Sequence, residues 1–88
     1  MNPDSYSKMS VTVPLVFPIL VAGEELKEVT VRRPKVKDML AAESMSGTDG
    51  QKAAMMIANL SGLSPKDIHE LDGRDYMKLN EVFQGFLS

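Results

Sequence analysis

At Pro34 the apolar residues of this chain stop alternating and begin to recur every third or fourth position. Before it, Val11, Val13, Leu15, Phe17 and Ile19 fall on one side at period two. Thr12, Pro14, Val16, Pro18 and Leu20 fall on the other. β-Branched and aromatic residues at this spacing predict a strand. A turn follows at Ala22-Gly23-Glu24, and Glu28-Val29-Thr30-Val31-Arg32 alternates again, so residues 11–33 read as a β-hairpin. After Pro34 the pattern is helical to the end. Strands grouped before helices predict an α+β domain: an N-terminal β-hairpin followed by three to four short α-helices. The expected organisation is a flexible tail over residues 1–10 and one domain over 11–88, with the helical part at 35–87.

Two prolines refine the hairpin. Proline has no N–H for a ladder, so it belongs at an edge or a bulge. Pro14 and Pro18 have the same parity and blunt the same edge of the first strand, which protects against edge-to-edge aggregation. The odd residues then pair with the second strand. The outer edge of residues 28–32 is left as the competent free edge of a two-stranded sheet.

The helices announce themselves by caps and stripes. Val36, Met39 and Leu40 share a face in the first, which Gly47 closes. Thr48-Asp49-Gly50-Gln51 matches a capping box for the second, with Ala53, Met56, Ile57 and Leu60 on one face. Gly62 suits the left-handed position after a helix, with Leu63 as its apolar contact. Ser64-Pro65-Lys66-Asp67 starts a third, short helix. Asp72 caps the last, with Asp75 three residues on. Tyr76, Leu79, Val82, Phe83, Phe86 and Leu87 form its amphipathic stripe.

Composition narrows the chemistry. The 88 residues contain no cysteine, which excludes disulfides, thiolate metal sites and a cysteine nucleophile. A small chain without disulfides fits the cytosol better than a secreted scaffold. The longest mostly apolar run, Val11 to Ala22, is broken by two prolines and is shorter than the ~20 residues of a spanning helix, so no membrane role is expected. The net charge of −2 argues against nucleic acid; the densest basic cluster is Arg32, Arg33, Lys35 and Lys37, and its ordinary reading is a solvated strand end. His69 is the one histidine, among Asp67, Glu70 and Asp72 on a short exposed helix. That reads as a surface residue, since a metal site needs three or four convergent ligands. No P-loop, G-x-G-x-x-G or nucleophile elbow is present. No catalytic residue, cofactor or metal is expected, and the chain does not read as an enzyme.

What remains is apolar surface. Seven methionines include Met39, Met45, Met55, Met56 and Met77, and methionine adapts well to binding partners. The stretch Ala53-Ala54-Met55-Met56-Ile57-Ala58 is apolar almost all round, so it is buried or awaits a partner. Met56 and Ile57 read mainly as core, whereas Met55 and Met77 lie off their stripes and read as partner-facing. The candidate partner-binding residues are Val29, Val31, Met55, Met56, Met77, Phe83 and Phe86.

Three stretches carry a resemblance. Val29 to Asp38 reads as a strand-to-helix junction with Arg, Pro and Asp in that order. Ile57-Ala-Asn-Leu60-Ser-Gly62-Leu63-Ser64-Pro65 continues into Lys-Asp67-Ile68-His-Glu-Leu71-Asp72. Tyr76-Met-Lys-Leu79 and Gly85-Phe86-Leu87 close the chain. In combined order and spacing, residues 11–87 resemble the tail assembly chaperones of Mu-like and P2-like tailed phages. The resemblance implies a factor of the host bacterial cytoplasm that binds the tape measure protein and shields its long apolar helices. It also implies a role in recruiting the major tail protein and absence from the mature virion. Many such genes also make a longer frameshifted product, to which this chain would be the short counterpart. The resemblance supplies no catalytic or defined binding residues. The alternative reading is a structural tail or virion subunit that oligomerises through its hairpin; a homo-oligomer is compatible with either. A third, weaker reading is a nucleic-acid regulator using the basic cluster.

Overall fold

The computed structural model describes residues 9–88. Strand β1 spans Ser10–Val21 and β2 spans Glu24–Arg32. Helices α1 (Val36–Ser44), α2 (Asp49–Ser61), α3 (Pro65–Glu70) and α4 (Gly73–Leu87) follow, so the fold is α+β, a hairpin and then helices. Of the expected tail over residues 1–10, residues 1–8 lie outside the described residues, and Ser10 already belongs to β1.

The hairpin combines two registers. In its open half Val11 pairs with Val31 and Val13 with Val29. The Arg33 amide donates to the Met9 carbonyl at 2.7 Å, which makes the odd residues the hydrogen-bonded pairs there. The peptide groups of Thr12 and Pro14 therefore point away from β2. At the closed end a two-residue turn, Ala22 (φ 52°) and Gly23 (φ 82°), has the two positive φ values of a type I′ turn. It sets Val21 opposite Glu24 and Ile19 opposite Leu26. The registers do not match, so residues 15–18 of β1 face Lys27 alone across a wide bulge.

A side chain from the far end of the sequence fills the gap in that ladder. Asp75, only 2% exposed, accepts the Val16 amide on Oδ1 at 2.9 Å and the Phe17 amide on Oδ2 at 3.0 Å. Two successive N–H groups aimed at one carboxylate break the alternation of the strand. Phe17, which by period two falls on the side of Val13 and Leu15, is consequently turned out and is 53% exposed.

The inner face of the sheet carries Val13, Leu15, Val29 and Val31, all buried. Helix α2 packs against β2, and α4 mainly against β1. The core between them is Met56, Ile57, Leu60, Ile68, Leu71, Leu79 and Phe86. Three caps are those the sequence predicts, at Thr48, Gly62 and Ser64; Gly47 does not close α1, which ends at Ser44 with Met45 extended (φ −81°, ψ 150°) at its C-cap. Gln51 N–H donates to Thr48 Oγ1 at 3.1 Å, and Gln51 Oε1 accepts from the Thr48 amide at 2.8 Å. Gly62 adopts φ 76° at the end of α2, where its amide donates to Ala58 O. Ser64 caps α3 by accepting from the Asp67 amide. Each cap is worth about 1 kcal/mol. At α4 the expectation needs correction: Asp72 caps through Arg74 N–H, but Asp75 does not reach back to it and serves β1 instead.

Candidate functional site: an apolar helix face turned to water

Helix α1 packs the opposite way from its sequence pattern. Val36, Met39 and Leu40 share a face as the spacing predicts, but that face is turned to water: they are 73%, 39% and 58% exposed. Asp38, on the other side of the helix, is buried at 4%, and Ala42 one turn later packs against the core. The cause lies at the junction with β2. Arg32 grips Asp38 with a two-pronged contact, Nη1 to Oδ2 at 2.8 Å and Nη2 to Oδ1 at 2.7 Å. The Lys35 amide adds a third bond to Oδ2 at 2.8 Å. A bidentate guanidinium–carboxylate pair fixes orientation as well as distance. With Asp38 held inward at the start of the helix, the 100° step per residue carries Val36 and Leu40 to the far side. The Arg32 hydrogen bonds, helped by the Lys35 amide and opposed by burial, lower the Asp38 pKa from 3.8 to about 2.

Val36, Met39 and Leu40 therefore form an apolar strip on a short helix, flanked by the exposed Lys37 and Glu43. Large exposed apolar side chains grouped on one face mark interaction sites more often than scattered ones do. Further exposures lie elsewhere: Met9 before β1, Val16, Phe17 and Leu20 around the β1 bulge, and Met77 and Leu87 on α4.

The seven residues expected to bind a partner separate into two groups. Val29, Val31, Met56 and Phe86 are core side chains, none more than 5% exposed. The pairing of Val29 with Val13 and of Val31 with Val11 also turns their peptide groups toward β1. These four correct the expectation of a surface, because period-two and helical stripes look the same whether they meet a core or a partner. Met55 and Phe83 are half-buried, and Phe83 packs against the core cluster. Met77 stands in solvent at 67% exposure. The strip on α1 was absent from that expectation. Its signal in the sequence was Arg32 and Asp38 bracketing Pro34, an acid placed to cap a helix and a base placed to hold it.

The two arginines of the basic cluster are engaged within the chain. Arg32 holds Asp38, and Arg33 stacks over the Phe86 ring at 5.5 Å while donating to the Phe86 carbonyl at 3.3 Å. His69 is exposed on α3, and Asp67 beside it is bonded to Ser64. Among the described residues no helix is long and apolar enough to cross a membrane.

A family model described as phage tail assembly chaperone proteins, E, or 41 or 14, matches residues 12–88 of this chain. No curated protein and no solved structure matches it.

Proposed function

The chain belongs to the family of phage tail assembly chaperones, and from that membership we propose that it binds the tape measure protein through the outward face of α1. The family role implies interaction with tail proteins. The client chemistry that fits Val36, Met39 and Leu40 is an amphipathic helix offering its apolar side, the helix-on-apolar-surface mode of recognition. In this reading the chaperone covers apolar stretches of the tape measure helices until the tail is built around them. It aids recruitment of the major tail protein, performs no catalysis, acts in the host cytoplasm and leaves before the virion is complete.

One observation carries the reading: a helix whose apolar side faces water while its acidic side is pinned to the core by Arg32. Burying that strip in a complex removes from water side chains worth about 1.5–3 kcal/mol each when fully buried. The test is co-expression with the tape measure protein encoded in the same genome, followed by affinity capture. A soluble complex from the wild type that is lost in the Val36→Glu/Leu40→Glu double variant is the expected result. A complex indifferent to those substitutions would place the contact on another face, and no complex at all would remove the tape measure protein as client.

A further inference from the structure

We infer that the outer edge of β2 pairs with the same edge of a second copy, making a four-stranded antiparallel sheet about a twofold axis at Thr30. This does not rest on the choice of client made above.

The edge is open. The odd residues of β2 in the open half of the hairpin are bonded to β1, so the N–H and C=O groups of Glu28 and Thr30 point outward. Among the described residues, neither takes a backbone hydrogen bond from outside the sheet. Both side chains are exposed. The opposite edge of the sheet is closed to the same use by Pro14 and Pro18 in β1, where no N–H can be offered. A sheet of two strands is marginal in water and gains most from a third and fourth.

The occupant follows from the charge along the edge. The turn end of β2 is net acidic, with Glu24, Glu25 and Glu28 against one cation, Lys27, which pairs with Glu25 at 3.5 Å; its far end is basic, with Arg32 and, just past the strand, Lys35. Such a strip changes sign about its centre, Thr30. Under a twofold axis there, each acidic end meets the basic end of the other copy, and residue positions add to a constant across the seam. Glu28 then lies opposite Arg32 of the second copy, and Thr30 opposite Thr30. Arg32 already holds Asp38, but its side chain is still 37% exposed and the fork has donors to spare. On the outer face the Thr12–Thr30 hydroxyl contact, 2.9 Å, would continue into a row of threonines across the sheet. A parallel partner, or a strand of uniform charge, would set like charges together at one end. Because the proline edges lie outermost in this arrangement, assembly stops at two copies and does not run on into a fibre.

The experiment is sedimentation of the full chain over a concentration series, with hydrogen exchange of the Thr30 amide followed in the same samples. The expected result is a concentration-dependent dimer, weakened by salt, in which Thr30 N–H gains protection as dimer forms. Thr30→Pro removes both bonds of the central pair without touching a bond to β1, and weakens association about tenfold or more. Glu28→Arg, an exposed change, also weakens it and serves if the proline variant fails to fold. A chain that stays monomeric at every concentration overturns the inference. So does a dimer in which Thr30 remains unprotected and Glu28→Arg associates like the wild type.

Discussion

Replacing Asp75 by asparagine removes one carboxylate oxygen from a site where both are used. The Val16 and Phe17 amides donate to Oδ1 and Oδ2 at 2.9 and 3.0 Å. Hydrogen bonds to a charged group contribute about 1.5–3 kcal/mol each. Val16 and Phe17 are themselves more than half exposed, so water can partly replace a lost acceptor, and the lower end applies. Asparagine keeps one acceptor but aims an NH2 group at the second amide, donor against donor. The loss is then about 2 kcal/mol for Asp75→Asn and about 3 kcal/mol for Asp75→Ala, which breaks both bonds. For a domain of this size that corresponds to a drop in Tm of roughly 8–24 °C. Urea unfolding monitored by circular dichroism gives the stability change, and hydrogen exchange at Val16 and Phe17 shows whether the bulge is the part released. Stability within about 0.5 kcal/mol of wild type for both variants would refute the account of the bulge, since that is the range of ordinary surface substitutions.

Three further outcomes are expected. Asp38 is held at a pKa of about 2 in the folded chain against an ordinary 3.8, so its pairing stabilises fully above that ordinary value and is lost as pH falls through about 2. The shift corresponds to about 2 kcal/mol, reduced somewhat because Arg32 is 37% exposed. Acid unfolding curves of Asp38→Asn should lack this dependence between about pH 2 and 4, and identical curves would refute it. Val36→Ser with Leu40→Ser should leave thermal stability within about 0.5 kcal/mol, because both side chains already face water; a large loss in a melting experiment would mean that the strip belongs to the core. Gly62→Ala, forced to φ 76° with open space around its Cβ, should lower stability by about 1 kcal/mol through backbone strain alone, measured by urea titration.

The parts of this fold that were legible in the sequence are those decided by near neighbours. The box at Thr48 and Gln51, the helix start at Ser64 and the left-handed Gly62 each depend on residues within four positions, and each forms as the spacing predicts. The stripe of α4 also holds as far as Phe86, with Leu79 and Phe86 buried, while Leu87 at its end is half exposed. The β1 bulge was not legible. The alternation Val13, Leu15, Phe17, Ile19 runs on without a break, and what interrupts it is a carboxylate 58 residues from Phe17. Asp75 looked like the second member of a helix cap because nothing local reveals its distant partner. The outward turn of the α1 face was not legible for a related reason. Val36, Met39 and Leu40 make a good core stripe, and only the grip of Arg32 on Asp38 rotates the helix away from it. In both cases a single buried acid overrides the apolar pattern, since a buried charge must have its partners and an apolar side chain merely prefers them. The same point explains the site list: Val29, Val31, Met56 and Phe86 have the apolar character of a binding surface but are already used by the core.

The central claim is that α1 offers its apolar face to the tape measure protein. The most direct measurement is an NMR footprint of a soluble tape measure fragment on the isotopically labelled chaperone. The account predicts the largest shifts in the methyl groups of Val36, Met39 and Leu40, with the core methyls of Ile57 and Leu79 little changed. Shifts confined to the sheet or to α4, with α1 silent, would contradict it.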